Sequence, residues 1–135
     1  MPDEELESSM AIEEMLAEMV STMPIREPSD FMFGVNLVRV IANDTNLGSP
    51  APGLHQDGYA FSLHLNVSRE NVSGGASIIA TGPDVEDIVV EHELTPREFV
   101  VFNDRKMLHT ATPVAPRTCG KPTWRDMVII DVVEK

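Results

Sequence analysis

The chain has 135 residues, 42% of them apolar, and a formal net charge of −12 at pH 7. That length supports one domain with a real core but not a catalytic domain plus a separate regulatory one. The acidic balance repels phosphate backbones and anionic lipid, which argues against nucleic acid or a membrane surface as partner.

Much of the acid lies in the first 18 residues, where it reads as the solvated face of a helix. Residues 3 to 23 carry Leu6, Met10, Leu16, Met19, Val20 and Met23 at spacings near 3 and 4, predicting an amphipathic helix packed on a sheet and ended by Pro24 and Pro28. Met1-Pro2-Asp3-Glu4-Glu5 is the opposite of a basic signal-peptide start, and no apolar run approaches the roughly 18 residues of a membrane span. The expectation is a soluble, cytoplasmic protein acting on a small molecule, alone or as a homo-oligomer. Cys119 is the only cysteine, so neither an intrachain disulfide nor a Cys-rich metal site can form. Without a secretory start, the Asn-x-Ser sequons at Asn66 and Asn71 read as chance.

From residue 31 onward the pattern is that of strands. Phe31 to Ala42 is a run of Phe, Val, Leu and Ile bounded by the turn-forming residues 43–46 and 48–50. His55 to Val67 follows, then a loop at Ser68 to Gly75. Further strands are expected over Ala76 to Thr81, Ile88 to Leu94, Phe99 to Asn103, Met107 to Val114 and Arg125 to Val133. Seven or so strands without intervening helices predict a mainly β sandwich or barrel, in a single domain spanning 1–135.

The segment His55-Gln56-Asp57 carries the chemistry. On an extended strand, residues two apart project from one face, so an imidazole and a carboxylate meet without help from a turn. Counting by twos puts His55, Asp57, Tyr59, Phe61, Leu63, Leu65 and Val67 on one apolar face, and turns His64 away. Polar groups at the end of an apolar face are costly to desolvate unless a cation compensates them. His109 is the best third ligand, and two histidines with one carboxylate form the facial triad of non-haem Fe(II). His92, set between Glu91 and Glu93, is a weaker candidate and more simply a solvated imidazolium.

Arg125 opens the last strand, whose faces are both largely apolar, and its planar fork suits a bidentate grip on a carboxylate. An ordinary ion pair with Asp104 or Asp126 is the competing reading, and Arg117 the alternative anchor.

Taken together, Leu54-His55-Gln56-Asp57-Gly58, the segment Asn66 to Ser77 with Arg69-Glu70-Asn71-Val72-Ser73-Gly74-Gly75, Asn103-Asp104-Arg105 with His109 and Thr112-Pro113-Val114, and Trp124-Arg125-Asp126 resemble the bacterial 2-oxoglutarate/Fe(II)-dependent dioxygenases that include free L-isoleucine hydroxylases. The likeness spans roughly residues 31 to 133. It implies a double-stranded β-helix, a jelly roll of the cupin kind, with His55, Asp57 and His109 on Fe(II) and Arg125 on the distal carboxylate of 2-oxoglutarate. Many relatives place a Ser or Thr two residues after this arginine, where this chain has Met127, so a helper for Arg125 must come from elsewhere.

The reaction implied is hydroxylation of a free, aliphatic L-amino acid with release of succinate and CO2. Tyr59, Phe61 and Leu63 are the expected pocket wall, with Arg39 or Arg69 meeting a substrate carboxylate. The rivals are a zinc hydrolase or lyase on the same triad, with Glu70 or Asp104 as base, and a non-catalytic jelly-roll module.

Overall fold

The last strand organises the molecule. In the computed structural model β9 (Thr123–Glu134) carries Val, Ile and Met on both faces, and a strand apolar on both sides is stable only in the middle of a covered sheet. It pairs antiparallel with β1 (Phe31–Ala42) over its full length, from Phe31 opposite Glu134 to Ala42 opposite Thr123, and on its other edge with β2 (Phe61–Glu70). β6 (Phe99–Phe102) completes a four-stranded sheet in the order β1-β9-β2-β6.

A second sheet has the order β5-β4-β7, from β4 (Ser77–Ala80), β5 (Ile88–His92) and β7 (Leu108–Ala111). β3 (Val72–Gly74) and β8 (Val114–Pro116) form a separate antiparallel pair. All the pairings are antiparallel, and the fold is the mainly β jelly roll.

Residues 14, 17–25, 27–48 and 53–135 are described, in two compact units, Met1–Asp30 and Phe31–Lys135. Residues 14 and 17–21 are helical, and Met19 and Met23 are buried. The rest of the helix expected over 3–23, including Leu6, Met10 and Leu16, lies outside the described residues. No described helix is long and apolar enough to cross a membrane.

The register sets two faces of the large sheet. Asn36, Val38, Val40, His64, Arg125, Met127, Ile129 and Asp131 share the inner face, since Val38 pairs with Met127 and His64 with Ile129. Phe61, Leu63 and Leu65 stand opposite Val132, Ile130 and Val128 on the other face, where Leu63, Ile130 and Val132 are almost wholly buried. The alternation expected across 55–67 therefore has its phase reversed. Strand pairing begins only at Phe61, because Gly58 takes a positive φ of 86° that breaks the two-residue period. His64 consequently points inward rather than away. The loop expected over 68–75 is in part strand: β2 runs on to Glu70 past a bulge between Asn66 and Ser68, and β3 follows. The single strand expected over 107–114 divides into β7 and β8 around Thr112-Pro113.

Candidate metal centre and pocket

His55 and His109 are brought side by side by their backbones. An isolated antiparallel bridge joins them, the His55 N–H donating to His109 O at 3.1 Å and the His109 N–H to His55 O at 2.9 Å. Their rings lie 4.4 Å apart between centroids. The Asp57 carboxylate reaches both from the irregular segment before β2, with Oδ1 3.7 Å from His55 Nε2 and Oδ2 3.2 Å from His109 Nε2. The three potential ligand atoms all fall within 4.8 Å of one another. They converge as the His-x-Asp spacing predicts, although a bridge and a glycine-bent loop achieve it, not one strand.

Both rings are held from behind. His55 Nδ1 lies 2.6 Å from Gly53 O, and His109 Nδ1 lies 3.2 Å from Asp104 Oδ1, close in charge though off the line of a hydrogen bond. Asp104 is wholly buried and also accepts the Tyr59 N–H at 3.0 Å on Oδ2 and, more weakly, the Asp57 N–H at 3.4 Å on Oδ1. Acceptors behind Nδ1 favour the tautomer that leaves the Nε2 lone pair facing the shared point. Burial, then the neighbouring His55, lowers the pKa of His109, keeping that ring neutral and able to donate its lone pair. Two imidazole nitrogens and a carboxylate oxygen fit the facial donor set for Fe(II).

The site opens into a cavity of about 390 Å³ between the two sheets. Val38, Val40, Tyr59, Met127 and Ile129 make its apolar wall, and Asn36, Ser77, Thr110 and Asp131 add polar groups. Arg125 lines it too, only 4% exposed. Its Nη1 donates to Gly75 O, and its Nε has no partner. Neither carboxylate considered for it by sequence takes it, because Asp126 pairs with Arg39 at 2.7 Å and Asp104 serves His109. A buried guanidinium with no carboxylate partner among the described residues is chemically suited to an external anion.

Asp131 accepts a hydrogen bond from Ser62 Oγ at 3.0 Å, and burial raises its pKa. The His64 imidazole is pushed down to about 4, by burial and then by the nearby His109 and Arg125, so it too is neutral at physiological pH.

Other residues singled out by sequence lie elsewhere. Tyr59 does line the cavity, but Phe61 and Leu63 stand on the opposite face of β2, the consequence of the Gly58 break. Arg39 is likewise on the far face, held bidentately by Asp126 and over the Trp124 ring. Arg69 donates to Leu94 O and Gly74 O, and Arg117 to Val72 O. His92 Nε2 is 3.0 Å from Glu98 on an exposed edge. Asp104, weighed as a general base, has both oxygens engaged in support of the triad. Its positioning role had no periodic signature in the sequence.

A jelly roll with two histidines and an aspartate beside an arginine-bearing cavity has the donor set expected of a non-haem iron, 2-oxo acid enzyme. Residues 2–131 match the 2OG-Fe dioxygenase family, and the chain belongs to it. That family uses Fe(II) and 2-oxoglutarate. Over 99 residues the chain is 31% identical to 3(1)-hydroxy-L-isoleucine 4-dioxygenase of Pantoea ananatis, covering 72% of this chain and 39% of that protein. Among solved structures it is similar to IDO from Bacillus thuringiensis, with a TM-score of 0.76 and 23% identity over 93% of this chain and 60% of the other. A bsmA homolog from Methylobium petroleophilum gives a TM-score of 0.65 and 24% identity, over 77% and 42% of the two chains. The matches thus span between 39% and 60% of the length of these relatives.

Proposed function

We propose that the chain is a 2-oxoglutarate- and Fe(II)-dependent dioxygenase that hydroxylates a small molecule, in the first place a free aliphatic L-amino acid. His55, Asp57 and His109 hold the iron, and Arg125 holds the distal carboxylate of 2-oxoglutarate. The observation that carries this reading is the buried, carboxylate-free Arg125 in the same cavity as the triad. Bound iron and 2-oxoglutarate supply the oxidising chemistry: one atom of dioxygen ends in succinate, with loss of CO2, and the other in the new hydroxyl group.

The chain's own residues bind, orient and exclude water. Val38, Met127 and Ile129 present an apolar wall to an aliphatic side chain, while Asp131, six residues along β9 from Arg125, offers a carboxylate to a substrate ammonium. The Pantoea relative's name, an isoleucine-derived substrate, agrees with that chemistry. The test is to incubate iron-loaded protein with 2-oxoglutarate and each of the common amino acids. Succinate together with a mass gain of one oxygen in an aliphatic amino acid is expected. Succinate without any modified amino acid places the substrate in another class, and no succinate at all under any condition removes the dioxygenase reading.

Gly75 is the floor under the arginine. A Cβ there would stand 3.1 Å from Arg125 Nη1 and 3.0 Å from Val114 Cγ2, at a φ of +66° that side chains rarely adopt. Gly75→Ala is expected to displace the guanidinium and weaken 2-oxoglutarate binding by roughly tenfold, the worth of one charge-assisted hydrogen bond. Fe(II) affinity should hold, because the triad lies on other segments. Parallel titrations of metal and cosubstrate separate the two effects.

A further inference from the structure

His64 belongs neither to the triad nor to the partners of Arg125. It projects from the middle of β2 into the cavity, opposite Ile129, and no ring hydrogen bond is formed among the described residues. Its ring meets Phe102 edge-on at 5.1 Å and His109 at 5.5 Å. The half-buried ring faces the cavity with its hydrogen-bonding capacity unused by the protein, so a ligand entering there can take it up. Arg125 lies four residues from Ile129 on β9, about 13 Å along the strand at the usual rise. Its long side chain and a five-carbon diacid together cover that distance. With its centroid 5.5 Å from that of His109, the His64 ring stands toward the triad end of the cavity, away from the Arg125 end.

We propose that His64 is a cosubstrate-binding residue, its ring N–H donating to the carboxylate at the 2-oxo end of 2-oxoglutarate. This rests on the cavity being a 2-oxo acid site. Arg125 then selects the distal carboxylate, His64 and the metal fix the proximal one, and the inner face of the sheet holds the diacid by both ends. On β2 the next inner-face residue, Asn66, is paired with Met127 and gives its amide to Leu94 O, so on that strand His64 is the side chain free to meet a ligand in the cavity.

The test compares His64→Gln with His64→Met, which are close in size and differ in having a donor. Protein loaded anaerobically with Fe(II) is titrated with 2-oxoglutarate, following the visible charge-transfer band. Fe(II) affinity is measured separately by competition with a chromophoric chelator. His64→Met is expected to bind 2-oxoglutarate about tenfold more weakly. His64→Gln should recover most of that, with iron affinity in both within about twofold of the parent.

The same penalty should appear with 2-oxovalerate, which has a methyl group in place of the distal carboxylate. Arg125→Leu, by contrast, should cost affinity only for 2-oxoglutarate. If His64→Met does not fold, His64→Phe, which keeps the edge contact with Phe102, takes its place. Unchanged 2-oxoglutarate affinity in the donor-free variant overturns the proposal. So does a parallel loss of iron affinity, which would make His64 a support for His109. A parent protein that shows no band instead removes the 2-oxo acid reading itself, separately from the role of His64.

Discussion

Asp57→Ala is expected to abolish turnover. The carboxylate is the anionic member of the triad, and a bound metal supplies several kcal/mol of the catalytic effect. Its removal corresponds to a loss on the order of a thousandfold or more in succinate formation. The fold should tolerate the change, because the Asp57 side chain is 49% exposed and belongs to the irregular segment before β2 rather than to either sheet. The thermal transition of metal-free Asp57→Ala should therefore match that of the metal-free parent within a few degrees.

Three measurements on one variant then separate the explanations. Fe(II) affinity by chelator competition should collapse, the anaerobic charge-transfer band with 2-oxoglutarate should vanish, and the melting curve should not move. If iron affinity survives within about threefold, the three side chains do not form the metal centre, and the functional reading goes with them. His109→Ala should have the same effect on iron but also lower stability, since that ring is 9% exposed and packs against Phe102 and His64.

The residues of this centre were legible in sequence for reasons only partly those of the structure. The His-x-Asp spacing identifies two groups that meet, and an extended strand would suffice to bring them together. The actual cause is a backbone bridge from His55 to His109 and a bend at Gly58. Period-two counting is reliable only while the chain stays extended, and one glycine at positive φ resets it. That reset moved Phe61 and Leu63 to the far face and His64 into the cavity. No local pattern distinguishes the two phases, because β2 is buried on both faces: Ser62 and Asn66 are as enclosed as Leu63 and Leu65.

The strands with strong β-branched runs, β1 and β9, were readable almost to the residue. Arg125 showed why a lone charge on an apolar strand is informative. Its candidate partners could be rejected only once register placed Asp126 against Arg39.

Asp104 is where sequence reading ran out, and it carries the second large effect. A buried carboxylate 0% exposed is tolerable only if its oxygens are bonded and its charge is compensated, and here two backbone N–H groups bond them while the His109 ring stands 3.2 Å away. Those partners come from the segment at 57–59 and from β7, so nothing within a few residues of Asp104 announces the role. Asp104→Ala removes the acceptor of the Asp57 and Tyr59 N–H groups and leaves the His109 ring without a partner behind it.

Unsatisfied buried donors cost about 1–3 kcal/mol each, so a fall in unfolding free energy of roughly 3 kcal/mol is expected in urea. Loss of the outer partner of a metal-binding histidine lowers metal affinity about 10–100-fold. Asp104→Asn separates these contributions. The amide oxygen can still accept the Tyr59 N–H, so stability should largely return. The negative charge beside His109 is gone, however, and the NH2 group competes with the ring N–H, so the iron deficit should persist. Urea curves on metal-free protein and chelator competition on the refolded variants give the two numbers independently. Equal recovery of both in Asp104→Asn would make the residue a loop anchor alone. Recovery of stability without recovery of iron binding makes it the group that aims His109 at the metal.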